Sequence, residues 1–297
     1  MSLKIFKGIG FVLAALVVLV LLLVVVLYIM GNTRASRKYN IQAEQITIPA
    51  GEAALESGRV WASSLGCTGC HGEDLSGDVL IDDATLGYIP TPNLTPGEGG
   101  AGSEFTDTDW VLAIRHGIDP HEERSLIGMP SANYAFLTKE DLGELIAYLK
   151  TIPSVDKELG EIRLTFMTKA LVAAGAFGEA ALPAEVIDHK GIWPAAVASA
   201  ASVEYGDYLV RVVGCRDCHG AELAGGKSPE PGAPPGPNLT PGGGFGGWSQ
   251  ETFITAMRTN QNKGMPWEDF ALMSDHELAA IYMYLQSLPE LEDAIQP

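Results

Sequence analysis

The sequence predicts a helical protein in which one membrane-spanning helix precedes two tandem copies of a single domain. Three observations lead to this fold class. A long uncharged apolar stretch lies near the start, and the pentapeptide Cys-x-x-Cys-His occurs twice. Each half then ends in a segment with apolar residues at helical spacing, closed by a proline.

The apolar stretch covers residues 8–30 and contains no charged side chain. It is long enough to cross a bilayer as a helix. A cleaved signal peptide is the alternative, but its apolar core would normally be about 7–15 residues long. The segment Asn32-Thr33-Arg34-Ala35 is also a poor cleavage site for a signal peptidase. We therefore predict an uncleaved anchor at residues 1–31 and a flexible tether at residues 32–49.

The charge of the chain excludes one class of partner. Its formal net charge is −18, from 37 acidic and 19 basic residues. Such a surface repels nucleic acid and attracts a basic protein. Basic residues flank the apolar stretch on both sides in nearly equal number, so they do not set its orientation in the membrane.

The two pentapeptides contain all four cysteines of the chain: Cys67, Cys70 and His71 in one, and Cys215, Cys218 and His219 in the other. A redox dithiol does not need the histidine. A structural zinc site needs four ligands, one more than each motif offers. Covalent haem uses all three residues, because the two thiols bond the vinyl groups and the histidine binds the iron. The motifs therefore predict two covalently bound haem c groups.

Each pentapeptide belongs to a larger internal repeat. In both halves the motif is followed by the segment Asn-Leu-Thr-Pro-Gly. A helical segment that ends in arginine comes next, and Gly-Met-Pro comes last. The matching residues are Asn93 and Asn238, Arg115 and Arg258, and Met129 and Met265.

On these motifs each half resembles a class I cytochrome c domain. The whole chain resembles a membrane-anchored dihaem cytochrome c and is similar to the cytochrome subunits of periplasmic dehydrogenases. The resemblance implies a small all-α fold around each haem, with one domain at 50–153 and the other at 201–290. A helical linker would occupy 154–200 and a tail 291–297.

The resemblance also implies haem attachment outside the cytoplasm, and hence a single-pass protein with a cytoplasmic N-terminus and periplasmic haem domains.

The resemblance implies that Met129 and Met265 are the distal iron ligands. A thioether suits haem iron and raises its potential. The flanking glycine and proline favour a rigid loop that can bring the sulfur to the iron. A histidine is the alternative for the first haem, because His116 and His121 lie in an insertion before Met129 that the second half lacks.

Two further pairs of residues have alternative interpretations. Arg115 and Arg258 either pair with a haem propionate or lie in solvent at a helix end. Asn93 and Asn238 either donate to a propionate or cap a turn.

With both irons six-coordinate, no position is open for a substrate, so we expect an electron carrier rather than an enzyme. It would be a membrane-tethered carrier or a carrier subunit of a respiratory or photosynthetic complex. The alternative is the electron-accepting cytochrome subunit of a periplasmic dehydrogenase, whose other subunits would then be its partners. A dihaem peroxidase-like enzyme would require one displaceable iron ligand.

The acidic surface predicts a basic cytochrome or a copper protein as a redox partner.

Overall fold

The computed structural model describes residues 3–178, 181–228, 232–260 and 264–295. The predicted anchor, linker, second domain and tail each include a few residues outside these ranges.

The chain begins with a single long helix, α1 (Leu3–Ala35). The most apolar 18-residue window of its segment Lys7–Ala35 has a mean hydropathy of 3.5, and none of that window is buried. The helix is therefore long and apolar enough to span a membrane, although a signal sequence has the same properties. It extends past residue 31, where we expected the anchor to end.

The first domain surrounds its haem motif with short helices. They are α2 (Glu52–Ser64), α3 (Cys67–His71), α4 (Ala101–Glu104), α5 (Asp107–His116), α6 (Ser131–Tyr134) and α7 (Lys139–Leu149). Helices α2 and α7 pack closely, because Gly58 offers no side chain at their crossing. A Cβ atom at Gly58 would lie 2.1 Å from the carbonyl oxygen of Glu144.

The second domain repeats this arrangement after the linker. Its helices are α9 (Val203–Val212), α10 (Cys215–His219), α11 (Gln250–Thr259) and α12 (Asp275–Ser287). Helix α9 packs on α12 through Gly206, where a Cβ atom would lie 2.0 Å from the carbonyl oxygen of Ala280. The prediction that the last helix of each domain packs on its first helix is confirmed.

The protein is helix-rich rather than purely helical. In both domains, short antiparallel strands lie in the stretch from the haem motif to the asparagine of the Asn-Leu-Thr-Pro-Gly segment, and a further short strand lies in the linker. They are β1 (Asp78–Asp83), β2 (Gly87–Thr91) and β3 (Arg163–Leu164) in one sheet of that order, and β4 (Ala224–Gly226) and β5 (Gly236–Asn238) in another. Strand β3 belongs to the linker, so the linker is joined to the first domain by a sheet.

The linker also contacts the long N-terminal helix α1. Its helix α8 (Phe166–Ala173) covers only part of the predicted helical linker, because Thr165 caps its start and β3 precedes it. Helix α8 packs on the C-terminal end of α1. The rings of Tyr28 and Phe166 stack with centroids 5.0 Å apart, and Lys169 donates to Asn32 at 2.8 Å.

The tether is not a free segment, contrary to our expectation. Residues 38–48 run along the first domain, where the amide of Tyr39 donates to the carbonyl of Glu123 at 2.8 Å. The ring of Tyr39 packs with Ile118 and Ala184 in a small apolar cluster. The insertion before Met129 supplies Ile118 and Glu123, so it provides much of the surface on which the tether lies.

The two domains share one continuous apolar core. The rings of Trp61 and Tyr208, one from each domain, meet edge to face with centroids 6.2 Å apart. The hydroxyl of Tyr208 also accepts from the backbone amide of Thr138 at 3.1 Å and donates to Asp141. Tyr208 therefore joins the first helix of one domain to the start of the last helix of the other.

Candidate haem sites

Each Cys-x-x-Cys-His motif forms one short helix that begins after a glycine in the left-handed conformation. The φ angles are 69° at Gly66 and 74° at Gly214. A side chain is disfavoured at such angles, so glycine lets the chain turn sharply into the motif. The two motifs therefore start with the same backbone geometry.

A backbone carbonyl orients the histidine of each motif. The Nδ1 atom of His71 lies 2.8 Å from the carbonyl oxygen of Pro92, and that of His219 lies 2.8 Å from the oxygen of Pro237. This contact fixes the ring and leaves Nε2 available to bind iron. Burial lowers the pKa of both histidines, which favours the neutral imidazole that a metal requires.

Both prolines immediately precede the repeated Asn-Leu-Thr-Pro-Gly segment. We did not predict their role, although the repeat itself could have drawn attention to them.

The thiols have the properties of groups that form thioethers rather than exchange disulfides. All four cysteines lie among the described residues and none is in a disulfide, and burial raises the pKa of Cys67 and of Cys215 to about 12. A thiol with such a pKa is almost entirely protonated at neutral pH. A pair that contains it is therefore poorly suited to thiol–disulfide exchange. Across the described ranges, no three His, Cys, Asp or Glu side chains are grouped closely enough to bind a metal ion by themselves. The zinc and dithiol alternatives therefore lose support.

The first domain contains an apolar cavity beside its motif. Cys67, His71 and Met129 all line it, so both proposed axial ligands and an anchoring cysteine meet there. Trp110 also lines the cavity, and its Nε1 atom is buried without a hydrogen-bond partner. A haem propionate is an acceptor that would satisfy this donor. The residues present therefore fit a haem, and Trp110 is a contact that we did not predict.

The two methionine loops have matching geometry. Glycine precedes each methionine at positive φ, 77° at Gly128 and 107° at Gly264. The carbonyl of Met129 accepts from the amide two residues later at 2.8 Å, and that of Met265 does so at 2.9 Å. Met265 and Cys215 also pack against the shared core, as Met129 and Cys67 do. The second domain has Phe253 at the position of Trp110, so it lacks the indole donor.

The structure separates the two alternative histidines. His116 is buried outside the cavity lining, with Nδ1 3.1 Å from Nδ1 of His189 and Nε2 3.4 Å from Glu44. His121 lines the cavity and lies 3.3 Å from Glu104. Only His121 therefore remains near the first haem site as an alternative to Met129.

The two arginines bind the loop before the last helix of their own domain. Arg115 donates to the carbonyls of Leu137 and Thr138, and Arg258 donates to those of Ala271 and Met273. The carbonyls of Leu137 and Met273 lie at matching positions of the repeat, each one residue before the cap of the last helix. Arg115 is fully buried, so it does not lie in solvent at a helix end, and it is not among the residues that line the cavity. Pairing of these arginines with a propionate stays a prediction. A buried guanidinium needs acceptors for its donors; here Glu44 accepts from Nη1 and the loop carbonyls accept from Nη2, while Nε is buried without a hydrogen-bond partner among the described residues.

The asparagines cap turns, the second of the two interpretations given above. The Oδ1 atom of Asn93 accepts from the amide of Thr95 at 2.9 Å, while its Nδ2 donates to the carbonyl of Val155 at 2.8 Å. Asn238 makes the corresponding bonds with Thr240 and Leu291, both at 2.8 Å. Each asparagine thus connects its turn to the segment that follows the last helix of the domain.

Comparison with known proteins separates the chain into the same two halves. The cytochrome c family matches residues 55–153, and the family described as cytochrome c oxidase, cbb3-type, subunit III matches residues 201–285. A dihaem cytochrome c-type protein of Cereibacter sphaeroides is 29% identical over 211 residues, 64% of this chain and 68% of that protein.

Two similar proteins are dehydrogenase subunits. The fructose dehydrogenase cytochrome subunit of Gluconobacter japonicus is 26% identical over 80% of this chain. The cytochrome c subunit of the quinone alcohol dehydrogenase of Gluconacetobacter polyoxogenes is 27% identical over 81% of it. The matches span only 53% and 57% of these two relatives. The chain therefore contains two c-type cytochrome domains, each with one covalently bound haem c, and is similar to dihaem cytochromes c and to the cytochrome subunits of dehydrogenases.

Proposed function

We propose that this protein is a membrane-anchored carrier that passes single electrons between redox partners outside the cytoplasmic membrane, alone or as a carrier subunit of a larger complex. The observation that carries the proposal is the cavity of the first domain, on which His71 and Met129 both lie. The second domain repeats the histidine contact and the methionine loop.

The ligand assignment is part of the proposal. His71 and Met129 would hold one iron, and His219 and Met265 the other, each haem being fixed by the two cysteines of its motif. When bound, the haems supply one-electron chemistry. Histidine and methionine together fill both axial positions, which leaves no place for a substrate and favours a high potential.

Membrane anchoring is supported by the position of α8 beside α1. Lys169 of α8 lies over the ring of Tyr28, 5.6 Å from its centroid, near the C-terminal end of the apolar segment. Aromatic and basic residues are enriched where a membrane helix leaves the bilayer. Arg34 pairs with Glu185 of the linker just beyond this point. In this arrangement the first domain would be held close to the periplasmic face of the membrane, with the N-terminus in the cytoplasm.

A specific experiment tests anchoring and topology. Membranes of producing cells should retain the haem protein after washing with salt or carbonate, and detergent should release it. Protease added to the periplasmic side should cleave both haem domains. A haem protein that washes off, or that has lost residues 1–35, would overturn the membrane proposal.

The main alternative function is the cytochrome subunit of a periplasmic dehydrogenase. The similarity to the fructose and alcohol dehydrogenase subunits favours it. Gentle detergent extraction followed by identification of co-purifying chains distinguishes the two functions. A stoichiometric dehydrogenase would support the subunit, whereas isolation of this chain alone, reducible by a soluble donor, would support the free carrier.

A peroxidase-like activity would need a displaceable ligand at one iron. His121 on the cavity of the first domain is the observation that keeps this function testable. Peroxide turnover by the purified protein would support it, and the absence of turnover would leave electron transfer as the activity.

The acidic surface supports a basic cytochrome or a copper protein as the soluble partner. With a net charge of −18, association should accelerate at low ionic strength and slow as salt screens the attraction. An association rate that does not depend on salt would remove the electrostatic argument.

A further inference from the structure

The two domains contact each other through equivalent residues. Asn133 and Asp269 each lie four positions after the methionine of their domain. Each reaches the glycine that precedes the haem motif of the other domain. A Cβ atom at Gly66 would lie 3.2 Å from Oδ2 of Asp269, and one at Gly214 would lie 2.6 Å from Nδ2 of Asn133. The interface is thus approximately two-fold symmetric at the haem-attachment helices.

The two halves of this symmetric contact differ in the residues that lie beside the haem-attachment helices. In the second domain the motif itself contains Asp217, and Asn133 donates to its Oδ2 at 2.6 Å. In the first domain the corresponding residue is Gly69, so the carboxylate near this motif comes from Asp269 of the second domain. Each attachment helix therefore has one aspartate nearby, but only Asp217 receives an amide hydrogen bond from the opposite domain.

The surroundings of Asp269 leave its charge uncompensated by a basic side chain. Among the described residues Asp269 forms no ion pair, and its backbone carbonyl accepts from Ser63 of α2 at 3.0 Å, which holds it against the first domain. Burial and the neighbouring Glu268 raise its pKa to about 6, so it is ionised at pH 8. The motif of the second domain, in contrast, carries Arg216, where the first has Thr68.

The carboxylate acts on the part of the first domain that bears the haem. Oδ2 of Asp269 lies beside Gly66, the residue directly before Cys67. In the holoprotein the sulfurs of this motif belong to thioethers at the edge of the macrocycle. A negative charge at this edge favours the oxidised, more positive haem over the reduced one.

We propose that Asp269, supplied by the second domain, lowers the reduction potential of the haem in the first domain and so favours residence of an electron on the second domain. Asp269 would act through the charge of its carboxylate and not as a ligand of the iron. This inference rests on the haem sites described above and needs neither the membrane anchor nor any partner protein.

The reciprocal substitutions Asp269→Asn and Asn133→Asp test the inference in the full detergent-solubilised holoprotein at pH 8. Potentiometric titration followed by visible spectra gives two potentials. The Met129→His variant identifies which of the two belongs to the first domain. Retention of both haems and unchanged axial spectra show that each variant is folded and that its ligands are intact.

Asp269→Asn should raise the potential of the first haem and leave that of the second nearly unchanged. At an effective dielectric constant near 20, a charge roughly 10–15 Å away changes the electron distribution between the haems by about six- to sixteenfold. Asn133→Asp should lower the potential of the second haem instead, because it adds a charge to the equivalent position. An unchanged first potential in Asp269→Asn, or a shift confined to the second haem, would overturn the proposal.

Discussion

The Nδ1 atom of His71 lies 2.8 Å from the carbonyl oxygen of Pro92, and this contact recurs at 2.8 Å in the second domain. A backbone oxygen therefore orients the proposed proximal ligand of both haems in the same way. Because the proximal sides match, differences between the two potentials must come from the distal ligand, solvent access and nearby charges. The distal side and the charges can be altered by substitution of single residues.

Replacing Met129 or Met265 with histidine should lower the potential of one haem only. An imidazole is a stronger donor than a thioether, so it stabilises the oxidised iron. We expect a decrease on the order of 0.1 V or more, within the ~0.8 V range that axial ligands span. Potentiometry and visible spectra of each variant measure the change.

Met167→His is the matched control, because Met167 is 46% exposed on the linker helix and lies far from either motif in sequence. It should leave both potentials unchanged. A Met129→His protein with the spectrum and potentials of the parent would contradict the ligand assignment in the first domain.

The haem sites were largely predictable because their chemistry depends on short local motifs. The cysteines, the adjacent histidines and the Gly-Met-Pro segments each recur at corresponding places in the two halves. The packing of the terminal helices was predictable from their apolar spacing. The close approach of α2 and α7 also has a local signal, since Gly58 and Gly206 occupy equivalent positions.

The contacts that could not be predicted depend on residues distant in sequence. The guanidinium of Arg115 is buried against Glu44, which lies 71 residues earlier in a segment expected to be flexible. No local pattern around Arg115 distinguishes this partner from a propionate. The position of Trp110 is similar, because a helical apolar pattern predicts its burial but not an unpaired indole nitrogen facing a cavity.

The double variants Cys67→Ser/Cys70→Ser and Cys215→Ser/Cys218→Ser should each lose one covalently bound haem and keep the other. Serine cannot form the thioether bonds, and each domain holds its own haem. Mass spectrometry of the denatured chain and the haem-to-protein ratio measure the loss. A chain that lost both haems from one pair of substitutions would indicate that attachment in the two domains is interdependent.

Alanine at Gly58 or Gly206 should destabilise the domain that contains it. The added methyl group would lie 2.1 or 2.0 Å from a carbonyl oxygen of the facing helix, so the two helices must separate. Overpacking of this kind costs about 1–3 kcal/mol in free energy of unfolding. Denaturant unfolding, followed by haem absorbance, measures the cost.

Gly244→Ala is the control for these glycine variants, since a Cβ atom at Gly244 would have no neighbouring atom within 4 Å. It should change the free energy of unfolding by less than about 0.5 kcal/mol. Equal effects at Gly58 and Gly244 would mean that close packing of the two helices does not determine the result.

Glu44 should make the stability of the first domain depend on pH in the acid range. Although burial alone would raise its pKa, the hydrogen bond with His116 and the charge of Arg115 lower it to about 2. The stabilisation is therefore fully present above the ordinary pKa of the carboxyl and is lost as the pH falls towards 2. Substitution by glutamine leaves Arg115 buried without its anionic partner, which costs about 3 kcal/mol near neutral pH.

Unfolding of the parent and Glu44→Gln proteins at pH 7 and at pH 3 measures this contribution. The difference in free energy of unfolding should be largest at pH 7 and should shrink at pH 3, because the carboxyl of the unfolded parent then takes up a proton whereas the folded one stays mostly ionised. Glu56→Gln is the matched control, since Glu56 pairs with Arg59 on the exposed face of α2 and should contribute little at either pH. A difference for Glu44→Gln that stays constant between pH 7 and pH 3 would show that the ion pair with Arg115 does not hold the tether against the domain.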